Sequence, residues 1–283
     1  VGRNSIAVIG HGYWGKILVK NLINMGYKNI TICEIGDVDT SVFGTRIKLV
    51  ADYKKINADK VFVATPASKH YDICKHFLTL GKDVFCEKPL CLSEKRVFDL
   101  YDISKKFSAN LYVDWLFLFN NEIRYLKKVY DDGILGGIIH ANMSRQNYGP
   151  VRHDVDSKWD LSSHDLSILL YLFEQSPKAS KLISYNRLDG VQKDSNLCFM
   201  KYTNYTSIIN TSWANSKKDR LCFFDFSEGC VTWDDKNGTL DIELFDPQAT
   251  LPERSTGNSP LENSINCFMS LSYNNKSFFG EEK

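Results

Sequence analysis

Three stretches hold residue types in patterns that support chemistry. The first is Asp83 to Leu90, DVFCEKPL, in which Val84-Phe85-Cys86 runs into Glu87-Lys88-Pro89. A short apolar run of this kind reads as a buried strand with a carboxylate, an amine and a proline at its C-terminal end. Charges are costly to bury without a partner. Open α/β sheets bind their ligands at the carboxyl ends of the strands. The second stretch is Gly10-His11-Gly12-Tyr13-Trp14-Gly15, set directly behind the apolar Ser5 to Ile9. The third is Asn147 to Asp165, NYGPVRHDVDSKWDLSSHD, with Asp160 and His164 four apart. If a helix has begun by Asp160, both side chains share one face. A histidine in a first helical turn feels the positive end of the helix dipole, which favours its neutral form. A neutral imidazole is a competent proton acceptor. Asp160 would act oppositely on the charge and fix the tautomer. The plainer alternative is a capping histidine beside a solvated carboxylate.

The elements that must position these residues are legible in the first half. Ser5 to Ile9 reads as a buried strand, and Ile17, Leu18, Leu22 and Met25 recur at helical spacing up to Gly26. A second strand, Asn29 to Cys33, is closed by Glu34. Strand, glycine turn, helix, strand and acid form the dinucleotide-binding fingerprint in its required context. Gly10 permits the tight turn, Gly12 lets the backbone approach a pyrophosphate, and Gly15 allows close helix–strand packing. Tyr13 and Trp14 belong to the same cofactor-binding turn; Trp14 either lies against the nicotinamide or packs internally. Glu34 can accept hydrogen bonds from both adenine-ribose hydroxyls and would repel a 2′-phosphate, so NAD is expected over NADP.

Val61 to Ala64 reads as a third strand, followed by Thr65-Pro66 and a helix with Ile73, Phe77 and Leu78 on one face. Ser93 is placed to cap the helix after the EKP triplet, with Val97, Leu100, Tyr101 and Ser104 on its inner face. Leu111 to Phe119 is strand-like. Strands alternating with helices through short links imply a doubly wound parallel sheet. Thr65-Pro66 and Glu87-Lys88-Pro89 leave strand ends on the rim of the glycine turn, so all three segments converge on one cofactor. His70 sits either near the cofactor ribose or as a polar residue at a helix start.

Composition narrows the class. With 283 residues, 43% of them hydrophobic, the chain is long enough for two domains with real cores. A net charge of +1 excludes a broadly basic nucleic-acid or membrane-surface binder. The eight cysteines include no C-x-x-C pair and no zinc-site or disulfide-scaffold spacing. Free thiols in apolar runs point to a reducing, cytoplasmic compartment. No signal peptide and no membrane span are read, and no metal site is expected.

The pattern changes after about Asn120. Asn121 to Asp132 is one amphipathic helix. Beyond it lie β-like runs at Ile138 to Met143, Lys181 to Tyr185, Leu197 to Tyr202, Ser207 to Trp213, Leu221 to Phe226 and Cys230 to Trp233, interrupted by one helix near Ser163 to Glu174. Few helices separate them, which implies an open, mainly antiparallel sheet. The expected division is a nucleotide-binding α/β domain over 1–119 and an α+β domain over 120–283. An open sheet face needs a cover, and a homodimer or homotetramer through that sheet is expected.

GHGYWGK (10 to 16), ATPASKH (64 to 70) and DVFCEKPL (83 to 90), in that order, resemble the glucose–fructose oxidoreductase and inositol dehydrogenase family, Gfo/Idh/MocA. The resemblance implies a Rossmann domain and a nicotinamide-dependent oxidoreductase acting on a sugar or cyclitol. It implies that Lys88 hydrogen-bonds the reacting oxygen and shares proton transfer. The family's Asp-x-x-x-His falls on Asp160 and His164, giving His164 a catalytic role with Asp160 orienting it. The segment with Arg145, Asn147, Tyr148, Gly149 and Arg152 resembles a sugar-nucleotide branch, which implies substrate contacts there. Arginine suits bidentate recognition of carboxylate or phosphate; for Arg145 and Arg152 a structural ion pair is equally open. Ser162-Ser163 departs from the Ala-Pro or Gly-Pro of some relatives. The resemblance also leads to two alternatives: a non-catalytic NAD-binding sugar sensor, and a redox-assisted glycosidase holding NAD tightly. Relatives close with a final helix; Leu261 to Leu271 is expected to form one helix, and set against the resemblance about one further helix is missing, by truncation or divergence.

Overall fold

The structure is a computed structural model that describes residues 5–39, 43, 47–149, 151, 155–188, 193–254 and 257–272. The chain forms two compact units. The first contains residues up to Trp115 together with those from Leu261 onward; the second is Leu116–Pro260.

Among the described residues, unit one holds a six-stranded parallel sheet in the order β3-β2-β1-β4-β5-β6. The strands are β1 (Ile6–Ile9), β2 (Ile30–Cys33), β3 (Ile47–Val50), β4 (Lys60–Val63), β5 (Asp83–Glu87) and β6 (Leu111–Asp114). The helices are α1 (Tyr13–Asn24), α2 (Ala67–Thr79) and α3 (Glu94–Lys106). β1 and β4 are buried along their whole length. Strands covered on both faces read as continuous apolar runs, and helical crossovers hold them parallel. Ser93 stands at the N-cap of α3, but its side chain makes no capping hydrogen bond. On that helix Leu100 and Ser104 are buried while Tyr101 is exposed.

Two expectations about this unit are corrected. The run 111–119 is not one strand: β6 stops at Asp114, and Leu116–Phe119 winds into a short 3-10 turn. The last helix, α6 (Pro260–Ser270), does not belong with the second sheet. Its Phe268 packs on Phe62, Phe85 and Tyr112, at ring centroid separations of 5.2, 5.6 and 5.8 Å. Burying one phenylalanine stabilises by roughly 1.5–3 kcal/mol. Lys60, almost fully buried at the start of β4, holds the C-terminal end of the helix. Its ammonium pairs with Asp83 at 2.9 Å and donates to the Phe268 and Leu271 carbonyls at 3.3 and 3.4 Å. A cation is favourable at a helix C-terminus, where the last carbonyls lack partners. The nucleotide unit is therefore built from both ends of the sequence, not from 1–119 alone.

Among the described residues, unit two holds an eight-stranded sheet in the order β14-β13-β12-β7-β10-β9-β8, with β11 paired to β7. These strands are β7 (Ile138–Tyr148), β8 (Ala179–Tyr185), β9 (Ser195–Lys201), β10 (Thr206–Ser212), β11 (Ala214–Asp219), β12 (Leu221–Phe226), β13 (Gly229–Asp234) and β14 (Thr239–Leu244). The pairing is mainly antiparallel, as expected, but β7 and β10 run parallel in the middle. On the inner face Cys222, Phe224 and Phe226 alternate inward from β12 and pack with α4 (Asn121–Asp131) and α5 (Ser163–Phe173). The outer face leaves Ile183, Phe199 and Phe223 exposed.

Candidate active site

The glycine turn of unit one has the geometry its spacing requires. Gly10 has φ +92°, and a Cβ there would lie 2.7 Å from the Ala64 carbonyl oxygen. A Cβ on Gly15 would lie 2.0 Å from the Gly10 oxygen, so only glycine lets α1 approach β1 this closely. At Gly12 a Cβ would meet nothing within 4 Å. Gly12 caps α1 with no side-chain hydrogen bond. The first N–H groups of α1 thus border open space, the usual seat of an anion.

Glu34, just past β2, closes one side of this space. Its Oε2 accepts from the His11 N–H at 2.7 Å and its Oε1 from the Ile35 N–H at 2.8 Å. These backbone donors hold the carboxyl below its ordinary range, against the opposing effect of burial. A cleft of about 760 Å³ adjoins it, lined among others by His11, Gly12, Lys16, Glu34, Asp37 and Phe43. The size suits a cofactor. His11, which sequence reasoning passed over, is buried in this wall, and burial lowers its pKa, with Lys16 adding to the effect. Its Nδ1 and the Thr65 Oγ1 are buried polar atoms without a protein partner among the described residues. A polar cofactor spanning the glycine turn and the end of β4 would meet both, so the residues present fit NAD. Tyr13 is 79% exposed and stands edge-on to the half-buried Trp14. Pro66 is exposed at the same rim.

The EKP triplet leaves β5 beside β6. Glu87 is buried and lies in register with Asp114; Lys88 is half-buried and joined to Pro89 by a cis peptide. Asp114 accepts from the Ser264 hydroxyl of α6 at 2.7 Å, and that hydroxyl lies 2.9 Å from the Tyr112 phenol. Burial raises the Asp114 pKa to about 6, while the Ser264 hydrogen bond and the Lys88 charge pull it back. Neither Asp114 nor Ser264 carried a motif; the only signal was an acid closing an apolar strand.

His70 is buried near the start of α2. It is 1% exposed, with Nδ1 2.9 Å from the Pro89 carbonyl oxygen and Nε2 2.8 Å from that of Thr65. The ring lies beneath the rim and links the two loops that form it.

In unit two, the segment before α5 is wound as a π-type turn, Lys158–Ser162, rather than as an early α-helix. Such turns widen the hydrogen-bond ring and recur at functional sites. Asp160 lies in this turn, and its Oδ2 accepts from the Trp213 indole N–H at 3.2 Å. His164 is in the first turn of α5, half-buried, edge-on to Phe117 at 4.9 Å. The turn rests on buried hydroxyls, with Ser162 3.0 Å from Thr211 and Asn196 bonded to Ser157. That platform, and Trp213 as the holder of Asp160, were not visible in the sequence.

Arg145 takes the ion-pair reading. It is 3% exposed, donates to Asp165 at 2.9 Å and to Asp235 at 3.2 Å, and stacks over Phe117 at 4.4 Å. Its guanidinium is spent inside the unit, which corrects the expected substrate contact. Asn147 accepts from Arg220 and donates to the Gly149 carbonyl. Tyr148 is 74% exposed. Arg152 lies outside the described residues.

Similarity to known proteins agrees with this geometry. The chain is 27% identical over 150 residues to an inositol 2-dehydrogenase of Rhizobium meliloti, covering 51% of this chain and 42% of that protein. It is 26% identical over 272 residues to a 2,7-anhydro-N-acetylneuraminate hydratase of Escherichia coli, covering 86% of this chain and 68% of that protein. It thus spans under half of the first relative and about two thirds of the second. The crystal structure of the WlbA dehydrogenase from Bordetella pertussis, in complex with NADH and UDP-GlcNAcA, shares the fold with TM-score 0.77 at 16% identity, over 87% of this chain and 78% of that one. Residues 4–115 match the model of the Gfo/Idh/MocA oxidoreductase family, described as having an NAD-binding Rossmann fold.

Proposed function

We propose that the chain is an NAD-dependent oxidoreductase acting on a secondary alcohol of a sugar, or on the matching ketone, with nucleotide sugars or sugar acids as the substrate class. The observation that carries this reading is the rim of unit one. There an open glycine turn, an ionised Glu34 and the half-buried Lys88 stand at the carboxyl ends of β1, β2 and β5 of one parallel sheet. Bound NAD would supply the hydride acceptor or donor. The chain's own residues bind, orient and move protons. Gly10, Gly12 and Gly15 admit the pyrophosphate, and Glu34 reads the adenine ribose, favouring NAD over NADP. Tyr13, Trp14, Thr65, Pro66 and Glu87 border the cofactor. Lys88 donates to the reacting oxygen and shares its proton. His164, at a helix start that favours the neutral ring, accepts or relays a proton, and Asp160, fixed by Trp213, orients it. Tyr148 and Arg152 are proposed substrate contacts, and Asn147 shapes that strand end through Arg220 and Gly149.

The outer face of the second sheet, with Phe199 and Phe223 exposed, supports a homo-oligomer through that face. No helix among the described residues is long and apolar enough to cross a membrane.

The test is direct. Lys88→Ala is expected to bind NAD and to lose about 10²–10⁴-fold or more in turnover with sugars, cyclitols and nucleotide sugars assayed by NADH absorbance. Wild-type turnover in that variant would sink the reading. The likeness to a hydratase over 86% of the chain supports a second reading, in which NAD is held and recycled. Retained cofactor, a changed sugar and no net NADH would select it.

A further inference from the structure

His70 lies near the start of α2, and both of its ring nitrogens face carbonyl oxygens. A carbonyl oxygen accepts and never donates. A neutral imidazole has one N–H, so one of the two contacts, at 2.8 or 2.9 Å, would set lone pair against lone pair in a site that is 1% exposed. Only the imidazolium donates at both nitrogens. Burial and the start of a helix both oppose that charge. Two charge-assisted hydrogen bonds in a region of low dielectric act in its favour.

The two acceptors give the ring its role. Thr65 lies in the loop just past β4, next to Ala64, whose carbonyl packs against Gly10; Pro89 immediately follows Lys88. We propose that His70 is a positioning residue, held as a doubly donating imidazolium that ties the Thr65 loop to the Pro89 loop and thereby sets the backbone from which Lys88 projects. The value of His70 to catalysis rests on the oxidoreductase reading above, but its protonation state does not.

The full-length chain, labelled with ¹⁵N-histidine, gives the decisive measurement at about pH 7.5, where an unperturbed imidazole is mostly neutral. Ring-nitrogen spectra, assigned by comparison with His70→Gln, are expected to show both His70 nitrogens protonated. One bare nitrogen would overturn the proposal, whatever the activity. In a second arm, His70→Ala is expected to weaken NAD binding, read by calorimetry, by about tenfold or more, with His70→Gln partly rescued because it keeps one donor. Wild-type NAD affinity in His70→Ala would also overturn it. If His70→Ala fails to fold, the wild-type spectrum still decides. If the wild-type chain binds no NAD but shows the doubly protonated ring, it is the oxidoreductase reading that fails, and the clamp stands.

Discussion

The Ser264 hydroxyl donates to the Asp114 carboxylate at 2.7 Å, so α6 reaches the end of the strand beside the EKP triplet. Asp114 is fully buried, and its pKa rises from the ordinary 3.8 to about 6, mainly through burial. A raised acid pKa means that the folded protein holds this proton more tightly than the unfolded chain. The stabilisation is complete below about pH 4 and lost as pH rises through about 6. Asp114→Asn is expected to remove that loss, and to be more stable than wild type at pH 7 by at most about 3 kcal/mol. Urea denaturation at pH 5 and pH 7 checks this. Identical pH dependence in both proteins would refute it.

Two glycines of one turn should fail differently. Gly15→Ala places a methyl 2.0 Å from a backbone oxygen, so α1 must move off β1 and thermal stability should drop. Gly12→Ala points into open space, so its melting temperature should match wild type. Its methyl would occupy the approach to the pyrophosphate, and NAD affinity should fall roughly tenfold or more. Calorimetry and thermal melts on both variants separate the two effects.

Arg145 should behave as a structural residue. Arg145→Met leaves Asp165 and Asp235 without their shared partner and is expected to destabilise unit two by about 3–5 kcal/mol. The Michaelis constant of the remaining folded protein should stay unchanged. A raised Michaelis constant at full stability would restore a substrate role for Arg145.

Lys60→Met removes the cation that holds the end of α6. The buried Lys60–Asp83 pair and two carbonyl contacts are lost together. A loss of about 3 kcal/mol is expected, with amide exchange rising first in α6. Uniform protection across α6 in the variant would contradict it.

What the sequence disclosed, and what it withheld, follows the range of the forces involved. The run from Ile6 to Glu34 was readable because glycine spacing and apolar periodicity are local, and the observed φ at Gly10 is the one the spacing demanded. DVFCE was a strand for the same reason. β3 and β14 went unread, because IKLV and TLDIEL mix charges with apolar residues at a sheet edge, where only one flank is covered. The parallel β7–β10 pair joins residues far apart in sequence, and no local pattern records such a choice. His70 and Arg145 were recognised as chemically capable, but their roles were set by partners that spacing cannot name: Pro89 for one, Asp235 for the other. The same holds for α6, whose contact with Lys60 bridges 208 positions.

That last bond has a consequence for biosynthesis. A ribosome releases β1 through β6 long before it makes Phe268. The nascent nucleotide-binding half must therefore wait, with the aromatic faces of Phe62 and Phe85 uncovered, while the whole second sheet is translated. Its closure waits for α6, and a chain that stops before Pro260 would leave a Rossmann sheet with one flank still wet.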